Sequence, residues 1–411
     1  MPAVPLITND AVVLGLLAAT LGVVFWTSGS AHPFWRAFYR YVPALLLCYF
    51  IPSLYNTFGL IDGGQSRLYF VASRYLLPAT LVLLTLAIDI PSILRLGPKA
   101  ITLFLTGTVS VILGGPIALL VVGSVSPGTI GPETWRGFTA VAGSWIGGGA
   151  NQAAMKDVFE IPADLFGAMV AVDVLMANVW MAVLLYLASR APELDRRRGA
   201  DTTALTALQE KVATFERENA RNPALGDLMK IVGLGFGLTG LSHLLGNPLA
   251  AWIEATAPGL AIYSLTSDFF WLVVLATTFG LLASFTPARR LEGAGASKVG
   301  SVMLYVLVAT IGMQMDIRAV FSSPGLFAVG GVWMAFHAAC MLIVLRLLRA
   351  PLFYLGVGSM ANIGGAASAP VVAGAFHPAL APVGVLLAVL GYALGTYGGW
   401  LSGQLMRLVS Q

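Results

Sequence analysis

Long apolar runs, interrupted by isolated charges and by glycine and proline, set the rhythm of this chain. They fall near 11–27, 41–58, 68–88, 100–123, 136–155 and 163–189, then near 228–246, 268–285, 298–315, 325–348, 350–376 and 380–406. Nearly all reach the ~18 residues at which an apolar run is long enough to cross a bilayer as a helix. The pattern predicts an all-α polytopic membrane protein with about 10–12 transmembrane helices. Between the two sets, Arg190 to Lys230 carries 8 basic and 7 acidic residues in 41 positions, a charge density that belongs in water. The expected organisation is a first transmembrane repeat (1–189), a charged cytoplasmic linker (190–227) and a second transmembrane repeat (228–411). Inside the linker, Leu205, Leu208, Val212 and Phe215 recur at helical spacing and predict a short amphipathic surface helix.

Composition sharpens this picture. Hydrophobic residues make up 57% of the 411 positions and charged residues 10%, against roughly 25% charged in an average soluble domain. A soluble enzyme is excluded. The net charge of +4 comes from Arg and Lys at helix ends, so it bears on orientation and not on nucleic acid. Arg289, Arg290 and Lys298, with Arg346, Arg349 and Arg407, place alternate loops of the second half, the linker and the C-terminus in the cytoplasm. No Lys or Arg precedes the first apolar run, which is read as a span and not as a cleaved signal peptide. Cys48 and Cys340 sit within apolar runs and behave as small hydrophobes. His243, His337 and His377 are scattered, so no zinc site is expected.

The two sets of segments look related. Gly148-Gly149 answers Gly364-Gly365, Pro162 answers Pro378, Gly143-Ser144 answers Gly358-Ser359, and Ile88-Asp89-Ile90 answers Met315-Asp316-Ile317, all in the same order. The longer loop Gly123 to Trp135, against the tight turn Arg349-Ala350-Pro351, accounts for the difference in offset. Such collinearity predicts an internal duplication. Inverted repeats need an odd number of crossings between equivalent helices, and six segments per half would make the halves parallel, so either one segment is miscounted or the repeats are not inverted. The first span and the stretch Gly246 to Tyr263, with Glu254, are the weakest spans.

Two features carry chemistry. Gly143-Ser-Trp-Ile-Gly-Gly-Gly-Ala-Asn-Gln-Ala-Ala-Met155 places three consecutive glycines inside an apolar segment, each costing a helix about 1 kcal/mol relative to Ala. The freed backbone groups need a polar surrounding that lipid does not supply. Gly356 to Pro370 repeats the theme, predicting paired discontinuous helices whose ends hold a carboxylate or a cation. Glycines that merely allow close helix packing are the bland alternative. The second feature is Asp173, nine residues beyond Asp164 and so about 13 Å into its helix. A charge there costs several kcal/mol unless it is paired, solvated or coordinated. Asn151, Gln152, Asp173 and Asn178 are the expected ion site, for Na+ or alternatively H+, with no other cofactor. Ser144, Gly148, Gly149, Ser359, Asn362, Gly364, Gly365 and Ser368 are expected to line a solute. Gln314 and Asp316 are read as marking a span's interface, and Asp89 and Asp316 as helix-end caps. Nucleotide-binding and hydrolase motifs are absent from the sequence, so an ion gradient is the expected energy source and no catalytic residue is expected.

On the run Gly147-Gly-Gly-Ala-Asn-Gln-Ala-Ala-Met155, with Gly358 to Pro370 and the two six-segment halves, the sequence resembles the YjcL-like bacterial membrane proteins, domain of unknown function family 819. That family is distantly similar to the cation:proton antiporter and anion transporter superfamily. The resemblance implies a core domain with two discontinuous crossing helices, here 136–160 and 350–376, beside a panel domain, with Asp173 at the place of the ion-binding acid. The chain departs from that pattern in lacking a second acid at Val172 or Val174, a Glu in the second crossing segment and an intramembrane lysine. The paired glycine breaks and the midplane acid, taken with this resemblance, lead to the expectation of a secondary active transporter of a small anionic or amino-acid-like solute in the bacterial inner membrane. An elevator movement of the core against the panel and a homodimer are expected with it. A monovalent cation/proton exchanger and a membrane scaffold or receptor are the alternatives.

Overall fold

The computed structural model describes residues 5–42, 44–200, 223–315, 318, 324–377 and 380–410. The predicted amphipathic helix, Asp316 and Pro378 lie outside the described residues. Thirteen helices carry the argument below. The first six are α1 (Asp10–Ser28), α2 (Ala44–Thr57), α3 (Leu68–Leu86), α4 (Pro98–Val125), α5 (Thr134–Val158) and α6 (Ala163–Ser189). The other seven are α7 (Leu225–Thr256), α8 (Asp268–Ser284), α9 (Ala296–Gly312), α10 (Gly325–Leu347), α11 (Leu352–Ile363), α12 (Gly365–Phe376) and α13 (Ala381–Ser410). Among the described residues, seven helices are long and apolar enough to cross a membrane alone, or nine if each of two bent helix pairs counts as one span. The weak segment after Gly246 is no separate span, because α7 runs unbroken through Pro248 and Glu254 to Thr256.

Local chemistry fixes several ends. Asn9 caps α1 by accepting the N–H of Ala11 at 2.9 Å, as Asn does at helix starts. Pro78 in α3 brings no N–H to the carbonyl of Arg74, four residues back, and the helix widens into a π-turn over Ala72–Leu76. The orphaned carbonyl is bonded by His243 Nε2 of α7 at 2.9 Å. His243 is thus explained by backbone accounting.

Two groups of helices emerge from the packing. Helices α4, α5, α6 and α10 to α13 share one apolar core around Trp145, Phe138 and Trp333. A second core joins α1, α2, α3, α8 and α9 and takes in one face of α5. In that group α2 packs on α9 and α8 on α3, while α1 reaches α9 and α7 reaches α3.

The two glycine-broken segments differ from the expected crossing helices in one respect, since each turns back on itself. In α5, Gly148 has φ 73 and ψ −172, a backbone region that is essentially glycine-only. Trp135 and Phe159, at opposite ends of this segment, lie edge to face with ring centroids 5.9 Å apart. In a straight helix of ~1.5 Å per residue they would stand about 36 Å apart. Likewise Phe353 of α11 and Phe376 of α12 are 5.7 Å apart, and a Cβ on Gly356 would meet the Phe376 ring at 2.9 Å. The turn there is Gly364-Gly365, with φ 58 at Gly365. Each arm has at most 14 residues and a length of about 21 Å, short of the ~30 Å hydrocarbon core. Hydropathy sees one mostly apolar or small-residue stretch of 25 positions in either case, 134–158 and 352–376, so a pair of such arms and a single span look alike in sequence.

Candidate functional site

The two hairpins meet at their tips. A Cβ on Gly365 would lie 3.9 Å from the Cα of Gly148, and one on Gly149 would lie 3.8 Å from Leu304 of α9. The meeting point therefore lies at the boundary between the two helix groups. Here the second arm of each hairpin begins and the first arm ends, so free N–H and C=O groups of both hairpins converge.

Asp173 of α6 holds both arms of the first hairpin. Its Oδ2 accepts from Ser144 Oγ at 2.7 Å, before the turn, and from Gln152 Nε2 at 2.8 Å, after it. Its Oδ1 accepts from Trp145 Nε1 at 2.7 Å. Tyr49 of α2 donates to Gln152 Oε1 at 3.4 Å, which turns the amide nitrogen toward the acid. All three partners present protons to a residue only 6% exposed, an arrangement that suits an ionised carboxylate. Such a group has about four lone-pair sites, and one on Oδ1 is left over. None of the described ion pairs involves Asp173.

The other expected ion ligands are placed differently. Asn151 Nδ2 donates to Gly147 O at 3.0 Å and to Tyr392 O of α13 at 2.9 Å, and its Oδ1 accepts from Thr396 Oγ1 at 2.7 Å. Asn178 donates to Val174 O of its own helix at 2.7 Å and shares no hydrogen bond with the Asp173 cluster. Asn362 on the second hairpin repeats the Asn151 pattern on α4. It donates to Gly358 O and Phe104 O at 2.9 and 3.0 Å, and accepts from Thr108 Oγ1 at 2.8 Å. Both asparagines follow a Gly-x-x-Ala-Asn run, and both partner helices offer aromatic-x-x-Gly-Thr, at Phe104–Thr108 and Tyr392–Thr396. The glycine before each threonine leaves room for the amide: a Cβ on Gly107 would meet Asn362 Nδ2 at 2.7 Å, and one on Gly395 would meet Asn151 Nδ2 at 2.6 Å. That paired sequence pattern marks both clamps in the sequence.

The expected substrate-side residues divide. Gly148, Gly149, Gly364 and Gly365 form the tips, and half-buried Ser368 follows on α12. Ser144 belongs to Asp173. Ser359 belongs to a second buried network in which Trp180 Nε1 donates to Ser359 Oγ, Ser359 bonds His337 Nε2, and His337 Nδ1 bonds Ser110 Oγ, each at 2.7 Å. Ser110 in turn donates to Gly107 O at 2.8 Å. Every group is satisfied by a neutral imidazole carrying its proton on Nδ1, assigned here from the direction of the chain. His337 and Trp180 carried no local sequence signal, because their partners come from helices far away in the chain. Close packing, the bland reading of the glycines, holds for Gly143 and Gly147: a Cβ on Gly399 or Gly395 of α13 would come within 3.2 or 2.5 Å of their Cα atoms.

At the base of the first hairpin, Lys156 is 6% exposed. The apolar pattern ends just before this lysine, and the structure packs it against Tyr69. Its Nζ donates to Tyr69 Oη of α3 at 2.8 Å and stands 4.1 Å from the ring centroid, while Tyr69 donates to Asp157. A cavity of about 320 Å³ opens there, lined by Arg74, Lys156, Asp157 and Asp268 among others. Asp89, expected as a helix-end cap, pairs with Arg289 at 2.5 Å.

A family model described as "Protein of unknown function (DUF819)" matches residues 15–409. Over 356 residues the chain is 25% identical to a Bacillus subtilis (strain 168) protein described as "Uncharacterized membrane protein YjcL", covering 82% of this chain and 84% of that one. A multi-pass helical membrane protein with two glycine-tipped hairpins, matched along nearly its whole length, this chain belongs to the DUF819 family.

Proposed function

We propose that the chain is an ion-coupled secondary transporter of a small anionic or amino-acid-like solute, working by an elevator movement of the α4–α6/α10–α13 group against the other. The observation that carries this reading is Asp173, a buried carboxylate that ties both arms of one hairpin at its meeting with the other and has one lone-pair site to spare. Na+ suits that site, together with carbonyls released at the tips. The free N–H groups of Gly149 and Gly365 suit a solute carboxylate. In this reading each half has five crossings and one hairpin, an odd number that inverts the halves. The antiparallel run of α4 against α10, with Ser110 beside His337 and Gly114 beside Trp333, supports inversion.

The test is thermal stability of purified protein in Na+ against K+ at matched ionic strength, at pH 6 and 8, for wild type and Asp173→Asn. An ion that binds only the folded state at a hundredfold excess over Kd adds about 2.7 kcal/mol. Stabilisation by Na+ that disappears in the variant is expected; equal stability in both salts removes sodium from the reading. The same lone pair accepts a proton, which favours cation/proton exchange as the second reading. Proton movement driven by Na+ in vesicles without added solute selects that one.

A further inference from the structure

A cavity of about 240 Å³ lies where the linker meets the second hairpin, lined by Arg198, Ala200, Arg346 and Arg349. Its walls are held in place. Asp195, on the short linker helix Ala191–Arg198, is 8% exposed and accepts the N–H of Leu352, the first residue of α11, on both oxygens at 3.0 and 3.3 Å. Arg198 pairs with Asp195 and reaches Ala350 O at 3.5 Å, while its Nε–H is buried without an acceptor. Arg349 takes a left-handed backbone conformation with φ 47, which costs a non-glycine residue about 1–2 kcal/mol. Arg346 and Arg349 have no carboxylate partner among the described ion pairs. Three guanidiniums thus face one cavity with a single carboxylate between them, and an arginine fork matches phosphate oxygens in pairs.

We propose that this cavity binds a phosphate group and, through it, fastens the linker helix to the base of the second hairpin. Two sources carry that chemistry: the phosphodiester of an anionic membrane lipid, or phosphate free in solution. The neighbouring surface of α10 is apolar and exposed at Ile343 and Leu347, 56% and 77%. An acyl chain would lie along it with the headgroup beside Arg346. Bound phosphate spans Arg198 on the linker side and Arg346 and Arg349 on the hairpin side.

The full chain is reconstituted in nanodiscs of phosphatidylcholine, with and without phosphatidylglycerol, and in phosphatidylcholine with added inorganic phosphate at constant ionic strength. Thermal unfolding is followed for wild type, Arg346→Gln, Arg349→Gln and, as a charge control on another helix, Arg36→Gln. All three arginines are exposed, so the variants retain the fold. The expected result is a higher Tm with phosphatidylglycerol, with half-saturation shifted about tenfold in each cavity variant and unmoved in Arg36→Gln. A rise with inorganic phosphate alone, lost in the same variants, assigns the site to a soluble phosphate. No rise in either arm, or a rise that Arg346→Gln and Arg349→Gln leave unchanged, overturns the proposal.

Discussion

Gly148 and Gly365 stand tip to tip, both in backbone conformations with positive φ, so near that a single methyl on Gly365 would reach within 3.9 Å of the Cα of Gly148. Neither turn tolerates a side chain at low cost, for reasons of backbone geometry more than of space. Gly148→Ala is therefore expected to lower stability by about 1–3 kcal/mol. Gly149→Ala is expected to cost far less, since its Cβ meets only Leu304 at 3.8 Å. Tm values of the two purified variants decide; equal losses would mean that crowding at the tip, and not φ, governs these positions.

Hairpins and through-running helices differ most at their ends. In a background with Cys48 and Cys340 replaced, Trp135→Cys with Phe159→Cys is expected to form a cross-link, as is Phe353→Cys with Phe376→Cys. Straight helices would hold each pair more than 30 Å apart, beyond the reach of any short reagent. Gel mobility before and after reduction reads the outcome.

Two indoles donate in the buried networks, one to a carboxylate and one to a hydroxyl. Trp145→Phe removes the Nε1–H that meets Asp173, and Trp180→Phe removes the one that meets Ser359. Hydrogen bonds to charged groups contribute about 1.5–3 kcal/mol and neutral ones about 0.5–1.5. Trp145→Phe is expected to be the more destabilising, as measured by chemical or thermal unfolding. The reverse order would mean that Asp173 is uncharged in the folded protein.

The twin asparagine clamps predict twin costs. Thr396→Val and Thr108→Val are close in shape to the native residue, yet each strips the buried Oδ1 of Asn151 or Asn362 of its donor. Each is expected to lose about 1–3 kcal/mol, with similar shifts in Tm. A neutral Thr108→Val beside a costly Thr396→Val would show that only the first hairpin depends on its clamp.

Much of this was legible one residue at a time. Asp173 stood out because a carboxylate in an apolar run needs partners, and Gly147-Gly148-Gly149 because three glycines weaken any helix. The course of the chain after the break was not legible, since apolar residues facing a neighbouring arm and apolar residues facing lipid spell the same pattern. That ambiguity lies behind the count of six segments per half, in which each hairpin is read as one crossing. Asn151 was drawn toward Asp173 because it sits beside Gln152, but neighbours in a helix point about 100° apart. Gln152 met the acid and Asn151 met α13. His337 has no sequence neighbour that points to its role, and in the structure its two ring nitrogens hydrogen-bond Ser110 and Ser359 from other helices.

Where Gly147 lies against Gly395 and Gly143 against Gly399, the first hairpin and the last helix touch backbone to backbone, with no flexible side chains between them to absorb a displacement. The two behave mechanically as one thick rod. A shift of α13 along its axis is therefore expected to carry the first hairpin with it, down to the half-buried turn at Gly148.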